Sequence, residues 1–400
     1  MKFGGTSVGS VEKIANVAKK VQRESENGHQ IVVVVSAMGK TTDDLEKLAA
    51  EITDAPTKRE MDMLLTTGEQ VTMSLLAIQL NALGVNAISL TGWQAGIQTD
   101  HVHRNARIKK LDPTKINSYL SENQVVIVAG FQGVANDSEV TTLGRGGSDT
   151  TAVAIAVAIE AEICDIYTDV NGVYTSDPRY VKGARKLKQL EYDEMLELAN
   201  LGAGVLHPRA VEFAKNYKIP LRVRSSFNDE EGTILKEEVD VEKNLVVRGV
   251  AFESDIVRLT IEYDIPFNGS LASIFTTLAN NHINVDIIVQ SIVGDVKPAV
   301  SFSIKKESLA EAISVLESHK EQLGFTFADF EVGLSKVSIV GSGMVSNPGV
   351  AAQMFDRLRK ENIPVKMVST SEIKVSVVVP QVNMIQAANA LHEEFDLEID

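Results

Sequence analysis

The feature that most constrains this chain is an internal repeat. Val257-Arg258-Leu259-Thr260-Ile261 returns as Val337-Ser338-Ile339-Val340-Gly341, an offset of 80 residues. At the same offset Gly269, Ala272, Phe275 and Leu278 correspond to Gly349, Ala352, Phe355 and Leu358, and Ile283 and Val285 to Ile363 and Val365. Each copy reads strand, loop, helix, strand, strand, and residues 308–318 and 384–395 supply the second helices. This pattern predicts two ferredoxin-like βαββαβ units, over 244–335 and 336–400. Gly341-Ser342-Gly343 follows a strand and imitates a dinucleotide fingerprint, but Ser346 stands where the third glycine belongs. The repeat explains that loop better.

The first 243 residues differ in texture. Residues 31–35 and 124–131 are apolar runs of the kind that form buried parallel strands, and 163–167 and 221–223 read as further strands. Helices are predicted over 11–24, with Ile14, Val17, Ala18 and Val21 on one face, and over 192–201 and 209–217. Residues 61–83 read as helix with a break near Thr67-Gly68. Strands alternating with helices predict an α/β domain with a mostly parallel sheet. In such sheets ligands gather at the carboxyl ends of the strands.

Glycine-rich turns fall at those ends. Thr141-Thr142-Leu143-Gly144-Arg145-Gly146-Gly147-Ser148-Asp149 precedes an apolar helix over 152–159. It reads either as an anion-gripping loop, with Arg145 able to hold a carboxylate bidentately, or as a turn whose Ser148 or Asp149 caps the helix. Lys2-Phe3-Gly4-Gly5-Thr6-Ser7 suggests a second such cradle. Gly39-Lys40-Thr41 follows a strand but is no Walker loop, since Val34 occupies the first glycine position. Thr66 and Glu69 stand at capping-box spacing; the other reading of Glu69 is a carboxylate for a substrate ammonium. His101-x-His103 has the spacing of a metal pair, but solvent-exposed loop histidines are the commoner reading. The hydroxyls, acids and Tyr174 of 168–179 suit a nucleotide's base and ribose, and an ordinary surface loop is the other reading.

Bulk composition excludes several classes. A net charge of −15 argues against nucleic acid or an anionic membrane surface as partner. The single cysteine, Cys164, excludes a disulfide framework. No run is long enough to span a membrane and the first residues lack a signal-peptide core, so a cytoplasmic protein is expected.

Taken together, KFGGTSVGS, VSAMGKTTD, TTGEQ, TTLGRGGSDTTA, YTDVNGVYTSDPR and GAGVLHPRA resemble the aspartate kinases, in particular the lysine-sensitive type of Gram-positive bacteria. The resemblance spans nearly the whole chain. It implies an amino-acid kinase domain over 1–243, a three-layer α/β/α sandwich with a mostly parallel sheet, followed by two ACT domains, and the Mg-ATP-dependent conversion of L-aspartate to 4-phospho-L-aspartate, the first step towards lysine, methionine, threonine and isoleucine. It further implies that Lys2, Asp149 and Arg145 are catalytic, and that Thr42, Glu69, Arg145, Gly146, Gly147 and Ser148 bind aspartate. ATP falls to Lys2, Phe3, Gly4, Gly5, Ser36, Tyr167, Thr168, Asp169, Val173, Tyr174, Thr175, Ser176, Asp177 and Pro178, with Mg2+ held mainly by the phosphates. Effector contacts are expected from Asn284, Val285, Asp286 and Gln290 in the first ACT unit, and from Val350, Ala351, Pro364, Val365, Ser371 and Glu372 in the second. The effector is expected to be lysine, with threonine, alone or together with lysine, open. The strand before the first unit, 245–252, is expected to pair with the second, and ACT units to join chains into a homodimer or an α2β2-type assembly. Relatives carry a few apolar residues before Lys-Phe-Gly-Gly, so a shortened first strand is expected. Two rivals stand beside this reading: a glutamate or N-acetylglutamate kinase, and a catalytically silent effector sensor.

Overall fold

The computed structural model describes the chain except for residues 137, 201–204, 238–245, 264–269, 292–297 and 399–400. The expected boundary at 243/244 and Gly269 of the repeat lie outside the described residues. The chain divides into two compact units. The first holds Met1–Val173, Lys186–Ala199 and Gly204–Glu242; the second holds Tyr174–Arg185, Asn200–Ala203 and Lys243–Asp400.

In the first unit the strands are β1 (Lys2–Phe3), β2 (Val32–Val35), β3 (Ala87–Leu90), β4 (Ile97–Thr99), β5 (Ile108–Leu111), β6 (Val125–Ala129), β7 (Gln132–Val134), β8 (Val140–Thr142), β9 (Cys164–Thr168), β10 (Gln189–Glu191), β11 (Leu221–Ser225) and β12 (Thr233–Lys236). The helices are α1 (Val11–Glu26), α2 (Thr41–Ile52), α3 (Lys58–Ala82), α4 (Thr114–Ser121), α5 (Gly147–Ala158), α6 (Tyr192–Asn200) and α7 (Pro208–Tyr217). Eight strands form one sheet in the order β10-β12-β11-β9-β1-β2-β6-β3, parallel throughout except between β11 and β12. A second sheet has the order β5-β4-β7-β8.

The apolar runs end up where their patterning sends them. All four residues of β2 and all five of β6 are buried, as continuous apolar strands between helical layers must be. On α1 the Ser10 hydroxyl accepts from the Lys13 amide, and Ile14, Val17, Ala18 and Val21 face the core with Phe3, Val33 and Val35. β1 has only two residues, and the α-ammonium of Met1 donates to the Val32 carbonyl at 2.7 Å. The expected break in the helix after residue 61 does not occur: α3 runs through Gly68 for 25 residues. A Cβ at Gly68 would lie 2.8 Å from the Ala37 Cβ, so this glycine serves a close approach and not a helix end.

The second unit contains β13 (Gly249–Tyr263), β14 (Ile288–Ser291), β15 (Ala299–Lys305), β16 (Phe325–Val340), β17 (Met367–Thr370) and β18 (Lys374–Pro380), with α8 (Ser270–Asn280), α9 (Leu309–Ser318), α10 (Lys320–Leu323), α11 (Val350–Lys360) and α12 (Met384–Glu394). Its six strands make one antiparallel sheet, β14-β15-β13-β16-β18-β17. Two strands serve both repeats. Residues Gly249 to Glu253 of β13 pair with Val340 to Lys336 of β16, whereas Ile256 onward pairs with Leu334 and earlier. The last strand of the second repeat is thus contributed by residues that precede the first. The register shifts between the halves, beside Asp255 (φ 58°) and Gly333 (φ 73°).

A strap from the amino-terminal half completes this unit. The Thr175 carbonyl accepts from the Val250 amide at 2.7 Å, Val181 sits in the core with Val250, Leu358 and Leu391, and Tyr180 meets Phe252 edge-on at 5.7 Å.

Candidate active site

The candidate residues gather at the carboxyl ends of β1, β2, β6 and β9. Lys2 Nζ lies 2.6 Å from Asp149 Oδ1, both side chains being nearly buried. Gly4 donates its amide to the Tyr167 carbonyl at 3.2 Å, and its α-carbon faces the lysine, a Cβ there lying 3.6 Å from Nζ. The Gly5 carbonyl accepts from the Gly39 amide at 3.0 Å, which ties the first glycine turn to the loop after β2. Ser36 and Ala37 belong to that loop, and the Ala37 amide donates to Glu69 Oε1 at 3.1 Å. Thr42 stands in the first turn of α2.

Glu69 is 3% exposed, and its other oxygen, Oε2, has no partner. Burial raises its carboxyl to about 8, against the opposing pull of its own and the Ala37 backbone amides. It sits in the middle of α3, so the capping-box reading falls; the Thr66 hydroxyl bonds back to the Met63 carbonyl. An acid at this depth with one vacant oxygen suits an incoming cation.

The glycine motif begins a helix inside itself, α5 starting at Gly147. Gly146 adopts φ 68°, and a Cβ there would fall 2.1 Å from Cγ of the His207 ring. Only glycine fits both the left-handed conformation and that contact. Ser148 is buried against Gly130, where a Cβ would come 2.8 Å from the serine Oγ. Arg145 is exposed, and among the described residues no hydrogen bond or ion pair holds its guanidinium. His207, which burial holds below the usual histidine range, and Phe131 (φ 70°) border the motif; neither was marked by sequence.

The nucleotide set divides. Thr168 and Asp169 end β9 near the glycine turn, Thr168 Oγ1 donating to Asp169 at 3.1 Å. The rings of Phe3 and Tyr167 stack on each other at 4.5 Å and are buried, so these residues have only main chain to offer a nucleotide. Val173 is buried in the first unit, whereas Tyr174, Thr175, Ser176, Asp177 and Pro178 belong to the second. Thr175, one of the residues expected at ATP, is fully buried, and its hydroxyl meets His392 Nε2 at 2.8 Å and accepts from the Arg185 amide at 2.9 Å. Ser176 is buried as well.

The histidine pair also resolves differently. His103 Nδ1 meets Asp62 at 2.8 Å, an acid 41 residues away, and no group of three or more His, Cys, Asp or Glu among the described residues could hold a metal. A cavity of about 760 Å3 lies at the opposite ends of the strands, beside Met1, Ile31, Ile155 and Cys164, away from every residue of the site. Cys164 there is buried, its thiol pushed up to about 12.

In the second unit the two expected effector groups lie at opposite edges of the sheet. Asn284, Val285, Asp286 and Gln290 adjoin β14; Val350, Ala351, Pro364, Val365, Ser371 and Glu372 adjoin α11 and β17. One chain does not bring them together. Asp286 is already paired with the buried Lys336, which also lies 3.2 Å from Glu253.

Comparison with known proteins fits this geometry. Residues 1–225 match the model of the Amino acid kinase family and residues 337–395 that of an ACT domain. The class is an amino-acid kinase with appended ACT units. An aspartokinase of Bacillus sp. (strain MGA3) is 64% identical over 397 residues, 99% of this chain and 96% of that protein. Aspartokinase 2 of Bacillus subtilis (strain 168) is 60% identical, over 99% and 97%. The crystal structure of E. coli aspartokinase III in complex with aspartate and ADP (R-state) superposes with a TM-score of 0.82 at 25% identity, covering 98% of each chain. The same enzyme in complex with lysine and aspartate (T-state) gives 0.79 at 26%. The chain belongs to the aspartokinase family. Both rivals, the glutamate-type kinase and the silent sensor, are set aside.

Proposed function

We propose that Glu69, Arg145 and Ser148 hold L-aspartate while Lys2 and Asp149 organise transfer of the terminal phosphoryl group of ATP to its side-chain carboxylate. The observation that carries this is the vacant, buried oxygen of Glu69. An α-ammonium placed there meets a carboxylate in a site from which water is excluded, and Arg145 is left to clamp the α-carboxylate. The side-chain carboxylate is ionised at neutral pH, so no general base is required. Catalysis then rests on positioning and on spreading the transferring charge. Lys2 supplies a cation held in place by Asp149, and the Gly4 and Gly5 turn supplies main-chain contacts. Ser36, Thr168 and Asp169 line the nucleotide side.

With one carboxylate, Asp149, beside the lysine, the residues fit a Mg2+ carried chiefly by ATP phosphates. Bound there, the ion neutralises phosphate charge. Lysine at the ACT units is the proposed feedback effector, supported by its presence in the E. coli relative. Because the two effector groups sit at opposite edges of one sheet, a second copy of the chain is the natural way to juxtapose them; Ile288 and Val289 of β14 are exposed apolar residues on such an edge.

The test is acyl-phosphate trapping with hydroxylamine, using aspartate and N-acetylglutamate as acceptors, with and without lysine or threonine. Hydroxamate from aspartate alone, suppressed by lysine, is expected. Threonine acting alone would reassign the effector, and normal aspartate affinity in Glu69→Gln would remove Glu69 from the site.

A further inference from the structure

Seven residues before Glu69, two turns away on the same face of α3, stands a second buried acid that the reaction leaves unexplained. Asp62 is fully buried, yet unlike Glu69 it has no vacancy. Its Oδ1 accepts from the Thr142 hydroxyl at 2.6 Å and the Arg104 amide at 3.1 Å; its Oδ2 accepts from that amide at 3.2 Å and meets His103 Nδ1 at 2.8 Å. A buried carboxylate is tolerated only when donors surround it. What is informative is where these donors come from.

All of them belong to two segments that form the root of the glycine motif. Thr142 ends β8, three residues before Arg145. Arg104 holds φ 71°, a left-handed backbone that its amide bond to Asp62 keeps in place, and its carbonyl would lie 2.9 Å from a Cβ on Gly144. The two segments are cross-tied: the Ala106 amide donates to the Thr142 carbonyl at 2.9 Å, and the Arg209 guanidinium bridges the carbonyls of Leu143 and Ala106 at 3.0 and 2.9 Å. Since the guanidinium of Arg145 is exposed, its position is inherited from this root.

We propose that Asp62 is a positioning residue for the acceptor amino acid. One helix carries both the acid that meets the substrate ammonium and the acid that fixes the loop bearing the carboxylate clamp, so the spacing between the two grips is set by α3. The proposal rests on the reading of Arg145 and Glu69 as aspartate contacts.

The experiment compares Asp62→Asn, Arg145→Ala and the double variant of the full chain, by kcat, KM for aspartate, KM for ATP and Tm. Asp62→Asn is expected to raise KM for aspartate about tenfold or more, leave KM for ATP within about twofold, and add less than about twofold once Arg145 is alanine. A lower Tm with both KM values unchanged means a merely structural acid and overturns the proposal, as do fully additive effects. An unchanged KM for aspartate in Arg145→Ala places the failure in the clamp reading instead. If Asp62→Asn does not fold, Thr142→Val removes one donor and should give the same split at about threefold; no split there is equally fatal.

Discussion

At the scale of single residues the site works by contrast between two acids on one helix, Asp62 saturated with donors and Glu69 left with one vacant oxygen. With its carboxyl raised to about 8, Glu69 is protonated in the empty site at neutral pH, and pairing with an ammonium requires it to lose that proton. KM for aspartate is therefore expected to rise about tenfold for each pH unit below 8 and to level off above it, a slope that Glu69→Gln should abolish. In the ligand-free protein the same shift has the opposite consequence. The folded form holds the proton more tightly than the unfolded chain, so this group's contribution to stability is complete below pH 4.5 and is lost as pH rises through 8. Lys2→Ala should lower kcat by about 10²-fold or more while nucleotide affinity changes little, as steady-state kinetics with ATP varied would register. Glu69 was visible in the sequence as one of two alternatives. Asp62 was not, because its donors come from positions 103, 104 and 142 and leave no local pattern.

At the scale of elements, periodicity served wherever packing followed it and failed where a close approach overrode propensity. The apolar strands and the buried face of α1 were legible because continuous and 3.6-residue patterns each admit one burial. The break assigned at Gly68 was an error of the opposite kind. Glycine is the costliest common residue inside a helix after proline, and here the cost is accepted so that Ala37 can lie against α3. Gly68→Ala is thus expected to reverse the usual gain of about 1 kcal/mol from alanine in a helix. It should push back the loop whose Ala37 amide holds Glu69, raising KM for aspartate several-fold, which kinetics beside a thermal melt can separate from lost stability. The strands β13 and β16 each serve both repeats, a sharing that leaves no local pattern; the pairing of 245–252 with the second unit was expected from the resemblance alone.

At the scale of the molecule, the second unit depends on residues that sequence placed in the first. His392 on α12 is fully buried against the Thr175 hydroxyl, and burial, aided by the Arg185 charge, holds its imidazole down at about 4. A base whose folded value lies below its unfolded value of 6.5 leaves stability intact above pH 6.5 and erodes it as pH falls towards 4. The second unit should therefore lose thermal stability across that window, and His392→Gln should flatten the dependence in melts recorded at stepped pH.

The strap has one more consequence, for how such a protein can be divided or assembled. The chain leaves the first unit after Val173, builds part of the other, and returns at Lys186. A single cut after residue 243 would not yield two free modules, because the amino-terminal piece takes with it Val181 and the strap that docks on Val250. A regulatory half expressed alone would begin with a gap in its own core, and the two pieces, made together, should travel as one particle. Exchange of sensor modules between kinases of this design has to move two segments of gene, not one.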